Sequence, residues 1–186
     1  MRVIAGQYGS RHLKAVPGMN TRPTTDKIKE GIFNLLGGYF DGGVCLDFYG
    51  GSGSMAIEAV SRGMERAIIT EKYRPALQTI KANVAVTKEE QKFTVLSGDN
   101  RASLAQLKQR EPDLIFDLVI LDPPYQQQRI VEDIEWLADL GVIDHLTDIL
   151  CESDDQLDLP KDVRSWRKVK QKQYGQTGIH LYEGSE

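Results

Sequence analysis

Apolar and polar positions change their spacing along this chain, and each change marks an element. Residues 2–16 alternate around Tyr8, Gly9 and Ser10 as a short β-hairpin would, and residues 18–23 form a break. In TTDKIKEGIFNLLGG, Ile28, Ile32, Leu35 and Leu36 fall at helical spacing, with a threonine or aspartate available as N-cap and paired glycines at the end. From residue 44 the rhythm becomes strand and helix in turn. Short apolar runs at 44–48, 67–71, 93–97, 116–122 and 149–153 read as strands; longer amphipathic stretches near 54–62, 75–84, 103–110 and 129–140 read as helices. Such alternation implies a parallel, doubly wound sheet. The tail, WRKVKQKQYGQTGIHLY, reads as two further strands joined through residues 175–178, an antiparallel hairpin closing one edge. The partition expected is an N-terminal extension of hairpin plus helix over 1–40 and an α/β domain over 41–186.

Composition narrows the setting. A chain of 186 residues is long enough to bury a real core in one domain. No apolar run approaches bilayer length, and the start, MRVIAGQYGSRHLK, lacks the apolar core of a signal peptide, so a cytoplasmic protein with no membrane attachment is expected. Cys45 and Cys151 lie in apolar strand contexts and read as buried thiols; His12, His145 and His180 are scattered, and no metal centre is expected.

The formal net charge of −4 conceals a segregation. Residues 130–160 hold ten acidic groups and no lysine or arginine. The first 35 residues carry Arg2, Arg11, Lys14, Arg22, Lys27 and Lys29 against Asp26 and Glu30, and residues 161–172 carry six basic groups against Asp162. If the two basic ends meet they make a patch able to hold a phosphate backbone; solvated surface charge is the equal alternative.

The chemistry sits at strand ends. In LDFYGGSGSMAIEA a strand runs into Gly50, Gly51 and Gly53 and then a helix, the arrangement that brings bare backbone close to a ligand over a helix N-terminus. A tight structural turn is the competing reading. Glu71 ends the next strand, 18 residues beyond Gly53, where doubly wound nucleotide binders place an acid for ribose hydroxyls. Asp99 and Asn100, after the third strand, suit either an adenine amino group or turn and capping chemistry.

Residues 118–125 read LVILDPPY, a buried strand stopped by a carboxylate, two prolines and a tyrosine. An exocyclic amine on a nucleobase is a poor nucleophile because its lone pair is delocalised into the ring. The Asp122 carboxylate and the Pro123 carbonyl, accepting hydrogen bonds from one amino group, would aim that lone pair at an electrophile and stabilise the positive charge that grows on it. Pro124 stiffens the exit, and Tyr125 can stack on a base flipped into the pocket.

Taken together, MRVIAGQYGSRHLKAVPG, TRPTTDKIKEGIFNLL, LDFYGGSGSMAIEAVSRG and LVILDPPY resemble the RsmD family of methyltransferases, over residues 1–125 and again at CES and YGQTGIHLY. That resemblance implies a Rossmann-like, mostly parallel seven-stranded sheet, S-adenosyl-L-methionine as cofactor, and methylation of the exocyclic N2 of one guanine in 16S ribosomal RNA of the small subunit, free or within an assembling ribonucleoprotein particle. It further implies that Tyr49, Gly51, Ser52 and Gly53 lie against the cofactor, that Asp47 anchors the loop or the cofactor's amino group, and that Glu71 takes the ribose and Asp99 with Asn100 the adenine. Asp122, Pro123, Pro124 and Tyr125 would hold the guanine. Arg22, Pro23 and Thr24 match the family's RPT before the first helix and, with Arg2 and Arg11, would face RNA. Tyr49 and Gly50 depart from the D-L-F-A-G-S-G more often met in relatives. Two readings compete: adenine-N6 methylation of DNA or RNA, and a non-catalytic RNA-binding assembly factor with the same fold. A monomer is the default.

Overall fold

A computed structural model describes residues 1–18, 24–124, 128–154 and 157–186. Five α-helices, a 3-10 turn (Glu90–Lys92) and eight strands are defined among them: α1 (Asp26–Leu35), β1 (Val44–Asp47), α2 (Ser54–Ser61), β2 (Arg66–Glu71), α3 (Arg74–Val86), β3 (Phe93–Ser97), α4 (Asn100–Arg110), β4 (Leu118–Leu121), α5 (Ile130–Leu140), β5 (Asp148–Asp154), β6 (Asp162–Val163), β7 (Trp166–Tyr174) and β8 (Thr177–Gly184). The strands form one sheet in the order β3-β2-β1-β4-β5-β8-β7-β6. The first five are parallel, and β8 returns antiparallel to β5. This is the expected Rossmann-like fold, with the two-residue β6 as an eighth strand on the edge of the anticipated seven.

The central strands are short and apolar because both faces are covered. Alternate residues enter separate clusters. Cys45, Ile69, Ile120 and Leu150 pack with α2, α3, α1 and the N-terminal segment, while Leu46, Ile68, Val119 and Ile149 pack with α4 and α5 on the other face. The chain winds one way from β1 to β3 and the other from β4 onward, so the order reverses between β1 and β4. That reversal opens a crevice at the carboxyl ends of these two strands, the place where doubly wound sheets bind ligands.

Helix boundaries follow local chemistry. Thr25 caps α1, its Oγ1 accepting the Ile28 N–H at 3.2 Å, and Gly37 and Gly38 end the helix with φ of +98° and +87°. α4 begins earlier than its apolar spacing suggests, because Asp99 Oδ2 accepts the Ala102 N–H at 2.9 Å and so caps a longer helix.

The expected N-terminal hairpin shrinks to a single antiparallel bridge between Arg2 and His12. The cause lies in where its backbone donors go. Glu58 on α2 accepts the N–H of Ile4 at 2.9 Å and of Ala5 at 3.1 Å, and Ser61 takes those of Gln7 and Tyr8, so these donors are lost to the ladder, which is held instead by the N–H groups of Val3, Ser10 and Leu13 on the carbonyls of Arg11, Val3 and Met1. Glu58 is fully buried and also meets Lys29 of α1 at 3.4 Å and Arg62 at 2.7 Å. Lys29 donates in turn to the Arg2 carbonyl and Arg62 to that of Gly38. One carboxylate thus fastens the N-terminal segment and α1 to the helix that begins at the glycine loop.

Candidate active site

The glycine loop leaves β1 at the mouth of the crevice. Gly51 and Gly53 hold φ of +58° and +81°, a region that favours glycine. A Cβ at Gly50 would lie 2.5 Å from Ile69 Cγ2, so the loop packs tightly on β2 beneath, whereas one at Gly51 would meet nothing within 4 Å on the side open to a ligand. Gly53 and the residues after it start α2, aiming that helix's N-terminus across the loop.

Four carboxylates, Glu71, Asp47, Asp122 and Glu152, stand at or near the carboxyl ends of the adjoining strands β2, β1, β4 and β5. Asp47 closes β1; the backbone N–H groups of Tyr49 and Ala56 lie toward its carboxylate and favour its charged form, yet its buried Oδ2 finds no hydrogen-bond partner among the described residues. Asp47 therefore anchors the loop and still offers one oxygen to a ligand donor. Burial, followed by the charge of Glu71, pushes its carboxyl well above the usual carboxylate range. Asp122 lies one residue past β4. The pairing of Leu121 with Cys151 sets it beside Glu152 of β5, with which it shares a side-chain hydrogen bond. Burial, then Glu152, then Asp47 hold the Asp122 carboxyl well above its ordinary range, and burial likewise raises Glu152. Two carboxylates side by side in a buried setting are costly to ionise together.

Glu71, at the end of β2, faces the glycine loop. Its Oε1 accepts the Gly51 N–H, and its Oε2 those of Lys72 and Tyr73, each at 2.9 Å. Three backbone donors fix the carboxylate and leave acceptor capacity for hydroxyls.

The remaining expected residues divide. Asp99 caps α4, and Asn100 Nδ2 donates to the Phe48 carbonyl at 3.2 Å, which ties the third crossover to the loop base. Ser52 Oγ accepts the Ser54 N–H at 3.3 Å. The Tyr49 hydroxyl turns away from the loop to donate to Asp133 of α5, which also pairs with Arg101 at 3.0 Å. Thr24 Oγ1 reaches Glu152 Oε2 at 3.2 Å, so the end of the RPT segment touches the crevice. Arg2 stays at the surface beside Asp26 at 3.6 Å. Arg11 is committed to the fold: it donates to the carbonyls of Val86 and Thr87 at the end of α3. Pro123 is buried and Pro124 exposed; Arg22, Pro23 and Tyr125 lie outside the described residues.

The two basic ends do meet. Lys170 of β7 donates to the Leu35 carbonyl at the end of α1, and a Cβ at Gly31 would collide with the Tyr174 hydroxyl, so β7 runs along α1. Lys27, Lys170 and Lys172 are exposed there, while Lys29 is withdrawn into the ion pair with Glu58.

Sequence reading missed Glu152 and Glu58. The available signal was a glutamate inside an apolar element, in ILCES for one and SMAIEAVS for the other, where an unpartnered charge would be costly. No group of three or more His, Cys, Asp or Glu among the described residues is placed to hold a metal ion, and no described helix is long and apolar enough to cross a membrane.

Comparison with known proteins agrees with this geometry. A family described as conserved hypothetical protein 95 matches residues 1–183. "Putative rRNA methyltransferase YlbH" of Bacillus subtilis is 38% identical over 183 residues, 98% of each chain. "Ribosomal RNA small subunit methyltransferase D" of Escherichia coli is 31% identical, over 98% of this chain and 89% of the relative. Among solved structures, "Putative methyltransferase yhhF from Escherichia coli" superposes with a TM-score of 0.82 at 31% identity, across 100% of this chain and 98% of that one.

Proposed function

The chain belongs to the conserved hypothetical protein 95 family, and from that premise we propose that it transfers a methyl group from S-adenosylmethionine to the exocyclic N2 of a guanine in small-subunit ribosomal RNA. The observation that carries the reading is the position of Asp122: a carboxylate one residue beyond β4, across the sheet's reversal from the glycine loop of β1. A group held by Asp122 faces whatever the loop holds.

The residues present suit the cofactor. The unpartnered Asp47 Oδ2 is an acceptor for an ammonium, Gly51 leaves space above its backbone, and Glu71 has acceptor capacity for ribose hydroxyls. S-adenosylmethionine supplies, when bound, a methyl carbon made electrophilic by its sulfonium.

Asp122 and the Pro123 carbonyl accept the two N–H bonds of the guanine amine and turn its lone pair toward that carbon. Asp122 stabilises the charge that develops on nitrogen, and it need not be a strong base, since the amine becomes acidic only as it is methylated. The proton then leaves to solvent. No covalent bond to the protein is needed.

Residues 1–40 are the part of the chain we assign to covering the cofactor and RNA, with Thr24 at the crevice; to Arg22 and Pro23 we assign a role toward RNA and to Tyr125 one toward the base. Exposed Lys27, Lys170 and Lys172 provide a strip for phosphates. The protein so described works as a cytoplasmic monomer on ribosomal RNA, free or in an assembling particle.

The test is to incubate the purified protein with labelled S-adenosylmethionine and small-subunit RNA, with and without ribosomal proteins, and identify the product nucleoside by mass spectrometry. N2-methylguanosine is expected; N6-methyladenosine would replace this reading by the adenine one, and absence of label on every RNA by a non-catalytic role. Asp122→Ala should still bind S-adenosylhomocysteine and lose turnover by at least about 100-fold.

A further inference from the structure

Glu152 has no part in the mechanism above, yet it is built into the site. It is 6% exposed, and the groups that reach it are the Asp122 carboxyl and the Thr24 hydroxyl. No lysine, arginine or histidine among the described residues forms an ion pair with it, and an amide or an apolar side chain would be less costly to bury there. Strand alternation fixes its direction. Leu150 and Ile120 belong to the same cluster, so two residues further along each strand Glu152 and Asp122 stand on that same face of the sheet, side by side. The unpartnered Oδ2 of Asp47 lies at the end of the next strand on that face.

What ligand would two adjacent carboxylates take? The Watson–Crick edge of guanine carries N1–H and N2–H as neighbouring, parallel donors. Adenine carries its amine beside N1, a bare acceptor. Offered to this pair, guanine gives each carboxylate an N–H. Adenine would set the N1 lone pair against a carboxylate with nothing between them. The strand register therefore supplies one acceptor for the amine that reacts and a second for the ring proton that only guanine owns.

We propose that Glu152 reads the N1–H of the target guanine, and that the Asp122–Glu152 pair makes the site select guanine over adenine. The inference rests on the guanine-N2 reading above and adds the residue that enforces it. Thr24, hydrogen-bonded to Glu152, keeps its carboxylate in place and links it to the RPT segment.

The test uses 2-aminopurine, which keeps the 2-amino group but lacks the N1 proton. Small-subunit RNA is assembled by ligation with guanosine or 2-aminopurine riboside at the mapped position, and methyl transfer by the full-length protein is measured on each. The wild type should prefer guanosine by about 100-fold or more in kcat/KM. Glu152→Gln, whose amide can turn its N–H toward a bare N1, should reduce that preference at least tenfold while S-adenosylhomocysteine binding is unchanged.

If the wild type methylates both RNAs within threefold of each other, or if Glu152→Gln binds S-adenosylhomocysteine and keeps the full preference, Glu152 does not read N1 although guanine-N2 methylation stands. Should Glu152→Gln not fold, the wild-type comparison decides alone. If the mapped product is N6-methyladenosine, the parent reading fails and this one with it.

Discussion

At the scale of single residues, the crevice trades stability for reactivity. Asp122 is held above its ordinary range by burial and then by Glu152, and Glu152 by burial against the opposing hydrogen bonds from Asp122 and Thr24, so at neutral pH the folded protein carries groups that would ionise more readily if it unfolded. Replacing one with a neutral isostere removes that cost. Asp122→Asn should raise stability by about 1–2 kcal/mol, a rise of a few degrees in Tm, while turnover falls; calorimetry beside a methylation assay checks both. The pH profile follows with the same sign. In the proposed mechanism Asp122 stabilises the charge growing on the amine only when ionised, so kcat/KM should rise through an acid limb above the usual carboxylate range. Glu152→Gln, by removing the like charge, should move that limb to lower pH even though Asp47 still opposes ionisation. Asp122, Glu71 and the glycine loop were legible in the sequence because each is a local pattern at a strand end. Glu152 was not, since its meaning comes from a neighbour 30 residues away that only the register of two strands brings alongside.

Among elements, strands and helices were read well wherever both faces are buried, because burial imposes the apolar pattern directly. The N-terminal hairpin is present but short for the opposite reason: the donors of Ile4, Ala5, Gln7 and Tyr8 are claimed by the Glu58 and Ser61 side chains and the Ser61 carbonyl, which no local pattern announces. That hub should be the costliest polar position to change. Glu58→Ala leaves Lys29 and Arg62 buried without their carboxylate and two N–H groups unpaired, and should lower stability by about 3–5 kcal/mol, read as a fall in the urea midpoint. The loop floor is the second sensitive element. Gly50→Ala drives a methyl into Ile69 and should cost about 1–3 kcal/mol, with weaker cofactor binding seen by titration calorimetry.

Across the whole molecule, charge segregation in the sequence becomes a division of surfaces. Part of the acidic stretch is neutralised by the basic segment that follows it, with Arg164 beside Asp139 and Glu135, while β7 carries its lysines along α1. Neutralising Lys27, Lys170 and Lys172 together should weaken RNA binding evenly across sequences and reduce its logarithmic salt slope by up to about 1 per lysine, with cofactor affinity kept; filter binding at several salt concentrations measures it. The Glu58 hub has a different bearing, on ancestry. A chain whose leading segment and lysine-bearing first helix are bolted through one internal anion should not acquire a new RNA target by exchanging that segment as a cassette. Grafts from a relative should work only when the lysine, the arginine and the acid between them travel as a set.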